Sequence, residues 1–430
     1  FFFKQKTAYE IRNCDWGSDV CSSDLATGPN AAACTECHSL PAPDGAGAAV
    51  ANVVRDPLHS ADVGRMIQRN TPHIFGAGAL QRVAEEMTEA LHLLRTNLGR
   101  TVQANNAAAS VALIAKGVSF GRLSATPSVN GPVFDTTQVD GVSQDLVVRP
   151  FQWKGSVASL REFNRGATHN EIGLQAVESV GDGVDGDGDG VTNELTVGDM
   201  TALTIYTAAQ PRPVTKLELN QYGLLADPLT NTQIQQIGHG RIVFNQIGCA
   251  ACHVPTLPLV DPIFREPSAN PNYRDGRFPS GAVPRTLGVR SDLPVSFDLT
   301  RDHPGNIFVV NNQMVFLGAL RRLPGTQGAA VDLYSDLKRH YMGTGLAESI
   351  DEVGTGAATW LTKPLWGVGI TAPYMHDGRA TTLTEAILEH GGEAAIARDS
   401  FRKLTTQDQL DLLLFLDNLT LLKGGLPLGN

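Results

Sequence analysis

The chain has 430 residues, a formal net charge of −10, 42% hydrophobic and 18% charged residues. That balance excludes a disordered chain, and the acidic surplus speaks against nucleic acid as the main partner. No apolar run approaches the roughly 20 residues that span a bilayer, so no transmembrane segment is expected.

Residues 1–25, FFFKQKTAYEIRNCDWGSDVCSSDL, have the wrong order for a secretory signal, because the only apolar block comes first and lysines follow it. They resemble the translated reading of sequencing adapters. We expect them to be disordered and foreign to the fold, with the chain proper beginning near Ala26 and its export signal missing. Setting Cys14 and Cys21 aside leaves Cys34, Cys37, Cys249 and Cys252, in CTECH and CAACH.

C-x-x-C-H is the attachment motif of c-type haem. Two thiols add across the two vinyl groups of one porphyrin, and the next residue, His38 or His253, swings under the ring to bind iron. A zinc knuckle needs further ligands nearby, and a thioredoxin-like pair does not need the histidine. Two covalently bound haem c groups are the expected cofactors. Their attachment takes place outside the cytoplasm, so the expected location is periplasmic or otherwise exported.

The motifs lie far apart, and each is expected to open its own helical lobe: residues 26–225, with an insertion around 75–150, and residues 226–430. Residues 101–150, rich in Thr, Val and Gly, suit short strands or coil. GDMTALTIYTAAQPRP predicts a helix stopped by Pro211 and Pro213. A second helix leads into CAACH, capped by Thr230 and Asn231, with Ile234, Ile237, Ile242, Val243 and Ile247 as its stripe. Residues 255–330, rich in Pro, Gly, Asn and Arg, read as loop with few elements. The last helix has a capping-box pattern at Thr406 and Gln409 and an apolar face of Leu410, Leu413, Leu414 and Leu416. The expected fold is mainly α: two fused cytochrome c-like haem lobes with long loops.

Together with the two haem motifs, RNTP, FQWKG and TAPYMHDGRATTLTEAILEHGGEA resemble the bacterial di-haem cytochrome c peroxidase superfamily, in its di-haem oxidoreductase (thiol oxidoreductase-like) branch. The resemblance runs along most of residues 34–420. It is strongest around PLWGVGITAPYMHDGRATTL and weaker across 75–150.

The resemblance implies that the C-terminal haem accepts electrons and that His390 stands where its second axial ligand stands. The peroxidases usually have methionine there. The other reading of His390 is a contact with the end of its helix. His376, in MHDG, is expected to be structural or to lie on the propionate side. Trp153 takes the place of a tryptophan between the haems, or is an ordinary core residue. Phe163 replaces a family glutamine. Glu171 falls about two residues short of the catalytic glutamate, which handles protons; otherwise it is a surface helix residue. The distal position of the N-terminal haem has no clean equivalent, and His59, Met66 and His73 are its candidates.

Calcium is implied between the lobes through the Asn70 side chain and carbonyls of the Thr371–Pro373 segment. Separately, Asp185, Asp187, Asp189 and Gly190 match the opening of an EF-hand-like loop, but Thr196 stands at its twelfth position, and a solvated Asp-Gly turn fits equally well. The resemblance implies an oxidoreductase that reduces hydrogen peroxide at the N-terminal haem, with a small redox protein as electron donor. A non-enzymatic di-haem electron carrier, or an enzyme oxidising a protein or organic substrate, are the alternatives.

Overall fold

The computed structural model describes residues 31–38, 53–55, 62–186, 188–274, 293–301 and 306–421. The expectations for residues 1–25, His59 and Asp187 lie outside the described residues. Ten helices run in chain order among those described: α1 (Thr35–His38), α2 (Ala77–Asn105), α3 (Leu160–Ile172), α4 (Val177–Val180), α5 (Val197–Ala208), α6 (Lys216–Gln221), α7 (Asn231–Gln246), α8 (Leu383–Glu389), α9 (Ala395–Arg402) and α10 (Thr406–Asp417). None is long and apolar enough to cross a membrane.

The mainly α expectation is corrected. The described residues are 37% helix and 19% strand. The difference lies in the connecting segments, where short runs of Val, Ile, Leu and Phe pair as small antiparallel sheets rather than running as loop. Within 255–330, Leu257–Leu259 pairs with Ala329–Val331, Ile263–Glu266 with Val295–Asp298, and Ile307–Val310 with Gln313–Phe316.

The segment 75–150 builds the largest core. α2 buries Leu80, Val83, Met87, Leu91 and Val102 against the three-stranded sheet of Ala109–Ala115, Val118–Thr126 and Val133–Asp135. Leu113, Phe120 and Leu123 face it from the sheet, and Leu257, Leu259 and Val331 close the same cluster. A long helix over a twisted sheet hides on one face what neither buries alone.

The second core carries the CAACH motif. α7 starts at a capping box of Thr230 and Gln233, and α10 starts at Thr405, whose hydroxyl accepts from the Asp408 amide. The helices touch at Gly240, where a Cβ would sit 1.9 Å from the Asp411 carbonyl oxygen, so any side chain would drive them apart. Ile237, Val243 and Phe244 meet Leu412, Phe415 and Leu416 there. The stripes differ from expectation in detail. Ile242 and Leu410 are exposed, while Asp411 is buried because His239, Gln236 and Gln407 all bond its carboxylate.

Candidate functional site

In the first motif, the amides of Cys37 and His38 both donate to the Cys34 carbonyl, and this single turn sets the two thiols on one side. Cys34 is exposed and Cys37 half-buried, and both are free thiols. Burial and then the Glu171 carboxylate push the Cys37 thiol up, which places Glu171, near the end of α3, beside this motif. The His38 Nδ1 atom is buried and has no hydrogen-bond partner. Burial holds the ring neutral, with its pKa lowered to about 4.

The second motif follows α7 through Gly248, whose φ of 94° is left-handed backbone that glycine adopts freely. A tight turn then carries Cys249–Ala251, and the His253 amide donates to the Cys249 carbonyl at 3.0 Å. Burial pushes the Cys249 thiol up to about 11.

His253 and His390 face each other. His253 Nδ1 donates to the Tyr334 carbonyl at 3.0 Å, and His390 Nδ1 donates to the Ala386 carbonyl at 2.7 Å. A carbonyl only accepts, so each Nδ1 carries the proton and each Nε2 keeps its lone pair. Burial pulls both pKa values down, that of His253 to about 4, so both rings are neutral near pH 7. The ring centres are 6.4 Å apart. Two imidazoles sharing one metal at about 2.0 Å per bond hold their centres about 6.3 Å apart, so the pair fits an iron between them.

A cavity of about 560 Å³ opens beside this pair, lined by Phe244, Cys249, Cys252 and Ala386 among others, and extends to Trp153 and His73. The Trp153 indole N–H donates to the Asn70 carbonyl at 2.8 Å. Phe163 also lines the cavity and packs on Phe151. Both ring nitrogens of His73 are engaged: Nε2 donates to the Trp366 carbonyl at 2.8 Å and Nδ1 accepts from the Phe75 amide at 3.2 Å. Met66 is half-buried. His376 stacks on Trp360 with centres 3.8 Å apart, and burial lowers its pKa to about 4.

The Asn70 side chain meets the segment of Pro373. The Asn70 amide nitrogen lies 2.5 Å from the Pro373 carbonyl and 3.3 Å from that of Met375, while its Oδ1 is buried without a partner. Exchanging the amide's oxygen and nitrogen gathers three oxygens, which suits a hard cation. Thr371 lies on the same cavity wall but is not among the partners of the Asn70 side chain. The acidic loop is different. Asp185 accepts from the amides of Gly188 and Gly190, and Asp189 from that of Val191, so those carboxylates serve the turn.

Residues 310–419 match the sequence model of the family described as "Di-haem oxidoreductase, putative peroxidase". The matched stretch is about a quarter of the chain and lies wholly in its C-terminal part. The match includes His390, Pro373 and Trp360, and neither C-x-x-C-H motif. A solved structure titled "Crystal structure of a MauG-like protein associated with microbial copper homeostasis" aligns at 15% identity over 71% of this chain and 80% of that one, with a TM-score of 0.29, too slight a likeness to argue from. No curated protein matches the chain. The neutral His253 and His390, on the same cavity wall as Cys249 and Cys252, offer donors that suit a haem iron.

The chain holds a group that the sequence did not suggest. His340 is buried, with Nε2 bonded to Asp336 at 2.8 Å, Nδ1 to Glu393 at 2.7 Å, and the Cys252 sulfur 3.9 Å away. Although burial opposes the charge, the two carboxylates win and raise its pKa to about 11. Cys252, Asp336 and His340 hold their donor atoms within 4.8 Å of one another, and in the absence of a metal the protonated ring makes them a charge cluster. The folded pKa lies above the unfolded value of about 6.5, so the stabilisation is full below pH 6.5 and fades as pH rises toward 11. His340→Gln is therefore expected to melt well below the parent at pH 6, by an amount that narrows steadily up to pH 10. Melting curves at several pH values check this, and a constant gap would show that the charge contributes nothing.

Proposed function

We propose that the chain is an exported di-haem c-type oxidoreductase that reduces hydrogen peroxide. Residues 26–225 carry the N-terminal haem and residues 226–430 the electron-accepting one. The observation that carries this reading is the His253–His390 pair, preset at metal-bridging distance beside two free thiols. When bound, haem supplies an iron that exchanges single electrons and, where a coordination position is open, takes peroxide.

Cys34 and Cys37 would hold the first group with His38 as its axial ligand, and Cys249 and Cys252 the second with His253 and His390. Trp153, on the wall of the shared cavity, gives an aromatic path between the two. Its indole is fixed by the Asn70 carbonyl, so its orientation does not depend on solvent. Glu171, beside the first motif, is placed to move protons there. The engaged nitrogens of His73 favour an open first site over one capped by that residue. Calcium would bind through Asn70 and the carbonyls of Thr371–Pro373, where the unpartnered Asn70 oxygen supports it. A small redox protein would deliver the electrons.

The test is peroxide consumption by the matured protein, given a reduced small cytochrome under anaerobic conditions. We expect turnover, cut at least tenfold in Trp153→Phe at unchanged haem content. If both irons stay low-spin in every redox state and peroxide is not consumed, the chain is an electron carrier and the enzyme reading fails.

A further inference from the structure

Lys363 stands out among the cations that point into the fold. It follows the strand Thr359–Leu361, and its backbone is pinned on both sides. The Leu361 amide donates to the Trp153 carbonyl, the Thr362 amide to the Lys338 carbonyl, and the Leu365 amide to the Leu333 carbonyl. Pro364 stiffens the step further. The side chain therefore has little choice but to enter the cavity, where its ammonium sits 5.3 Å from the centre of the Trp153 ring.

The fold compensates comparable charges carefully. Lys154 donates to three carbonyls and lies 3.7 Å from Glu348. Arg69 is held by Glu348 and Glu352, and Arg161 by Glu178 and Glu266. Lys363, among the described residues, has the Trp153 face and no carboxylate. Burial alone accounts for its lowered pKa, about 8, with no acidic neighbour acting against it. An ammonium drawn out of water in this way is stabilised when an anion joins it.

We propose, resting on the haem reading above, that Lys363 is the counter-ion of a haem carboxylate at the first haem site, beside Trp153. Haem brings two carboxylates into this cavity, and the carboxylate already on its wall, Glu393, is taken up by His340. The choice of site follows from the neighbours. The charges that act on His73 are those of Lys363 and His38. Those that act on His390 come from Arg398 and Glu389, without Lys363. Lys363 is a positioning residue: its ion pair fixes one edge of the haem against the Trp153 indole, and its charge favours the reduced iron of that site.

The test uses the full-length matured protein and spectroelectrochemical titration of both haems at one pH, with haem content measured on the same samples. Lys363→Met is expected to move the midpoint potential of the first-site haem to a more negative value and leave the low-spin second haem unchanged. Lys363→Arg is expected to keep both near the parent. Should the methionine variant fail to mature, Lys363→Gln gives the same reading. Unchanged potentials in the charge-removing variant, or a shift confined to the second haem, would overturn the assignment. Absence of haem from the parent protein is a separate result and would count against the haem reading itself.

Discussion

Replacing His390 with alanine is expected to turn the second haem from low-spin to high-spin. The expectation rests on geometry that exists before any metal arrives. His390 Nδ1 is tied to the Ala386 carbonyl and His253 Nδ1 to the Tyr334 carbonyl, which leaves each Nε2 lone pair free on rings whose centres are 6.4 Å apart. Without His390 the iron keeps only His253 from the protein. The low-spin signal in electron paramagnetic resonance should disappear, and the midpoint potential should rise as a strong donor is lost. The hydrogen bond of neutral His390 to the Ala386 carbonyl is worth only about 0.5–1.5 kcal/mol, so the protein should still fold. Added imidazole should restore the low-spin signal in this variant. A low-spin second haem that persists in His390→Ala would leave His390 as a helix-end residue and no ligand.

The largest expected effect on stability is at Arg161. Its guanidinium reaches Glu178, Glu266, the Thr201 hydroxyl and the Val197 carbonyl, and so ties α3 to α4, to α5 and to the strand Ile263–Glu266. Glu178 is 0% and Glu266 2% exposed. Arg161→Met keeps much of the packing volume and strands these carboxylates, and removing one partner of such a buried pair costs about 3–5 kcal/mol. Burial already raises the Glu266 pKa, and the Arg161 charge is what opposes that rise. In the variant the folded pKa goes higher still. Its penalty is therefore absent below the unfolded value of about 4.5 and grows as pH rises through the folded one. Urea unfolding should show a deficit that is larger at pH 7 than at pH 5. An equal deficit at both would mean that lost packing, not stranded charge, is responsible.

What the sequence made legible was local. C-x-x-C-H packs two thiols and an imidazole into five residues, and each motif folds as one tight turn about its first cysteine carbonyl. The α7 and α5 helices were readable from Thr caps and from Pro211 and Pro213, which act within one turn. The strands in 255–330 were not, because Leu257–Leu259 finds its partner some seventy residues on, at Ala329–Val331, and neither run is a clear strand alone. The α10 face was misjudged for a similar reason. Leucine outnumbers every other residue there, yet buried Asp411 turns inward to meet His239 of α7, and Leu410 turns out. His340 and Lys363 carried no signal at all. The meaning of His340 depends on Glu393, fifty-three residues away, and that of Lys363 on the wall opposite.

The account stands most directly on the number of covalent haems and the sites that hold them. Pyridine haemochromogen absorbance and intact mass should be measured on the chain expressed with a cytochrome c maturation system. The prediction is two haems per chain that survive acid–acetone extraction, one lost in Cys34→Ala/Cys37→Ala and the other in Cys249→Ala/Cys252→Ala. A matured chain that holds no covalent haem, or that keeps both when either pair is removed, would contradict it.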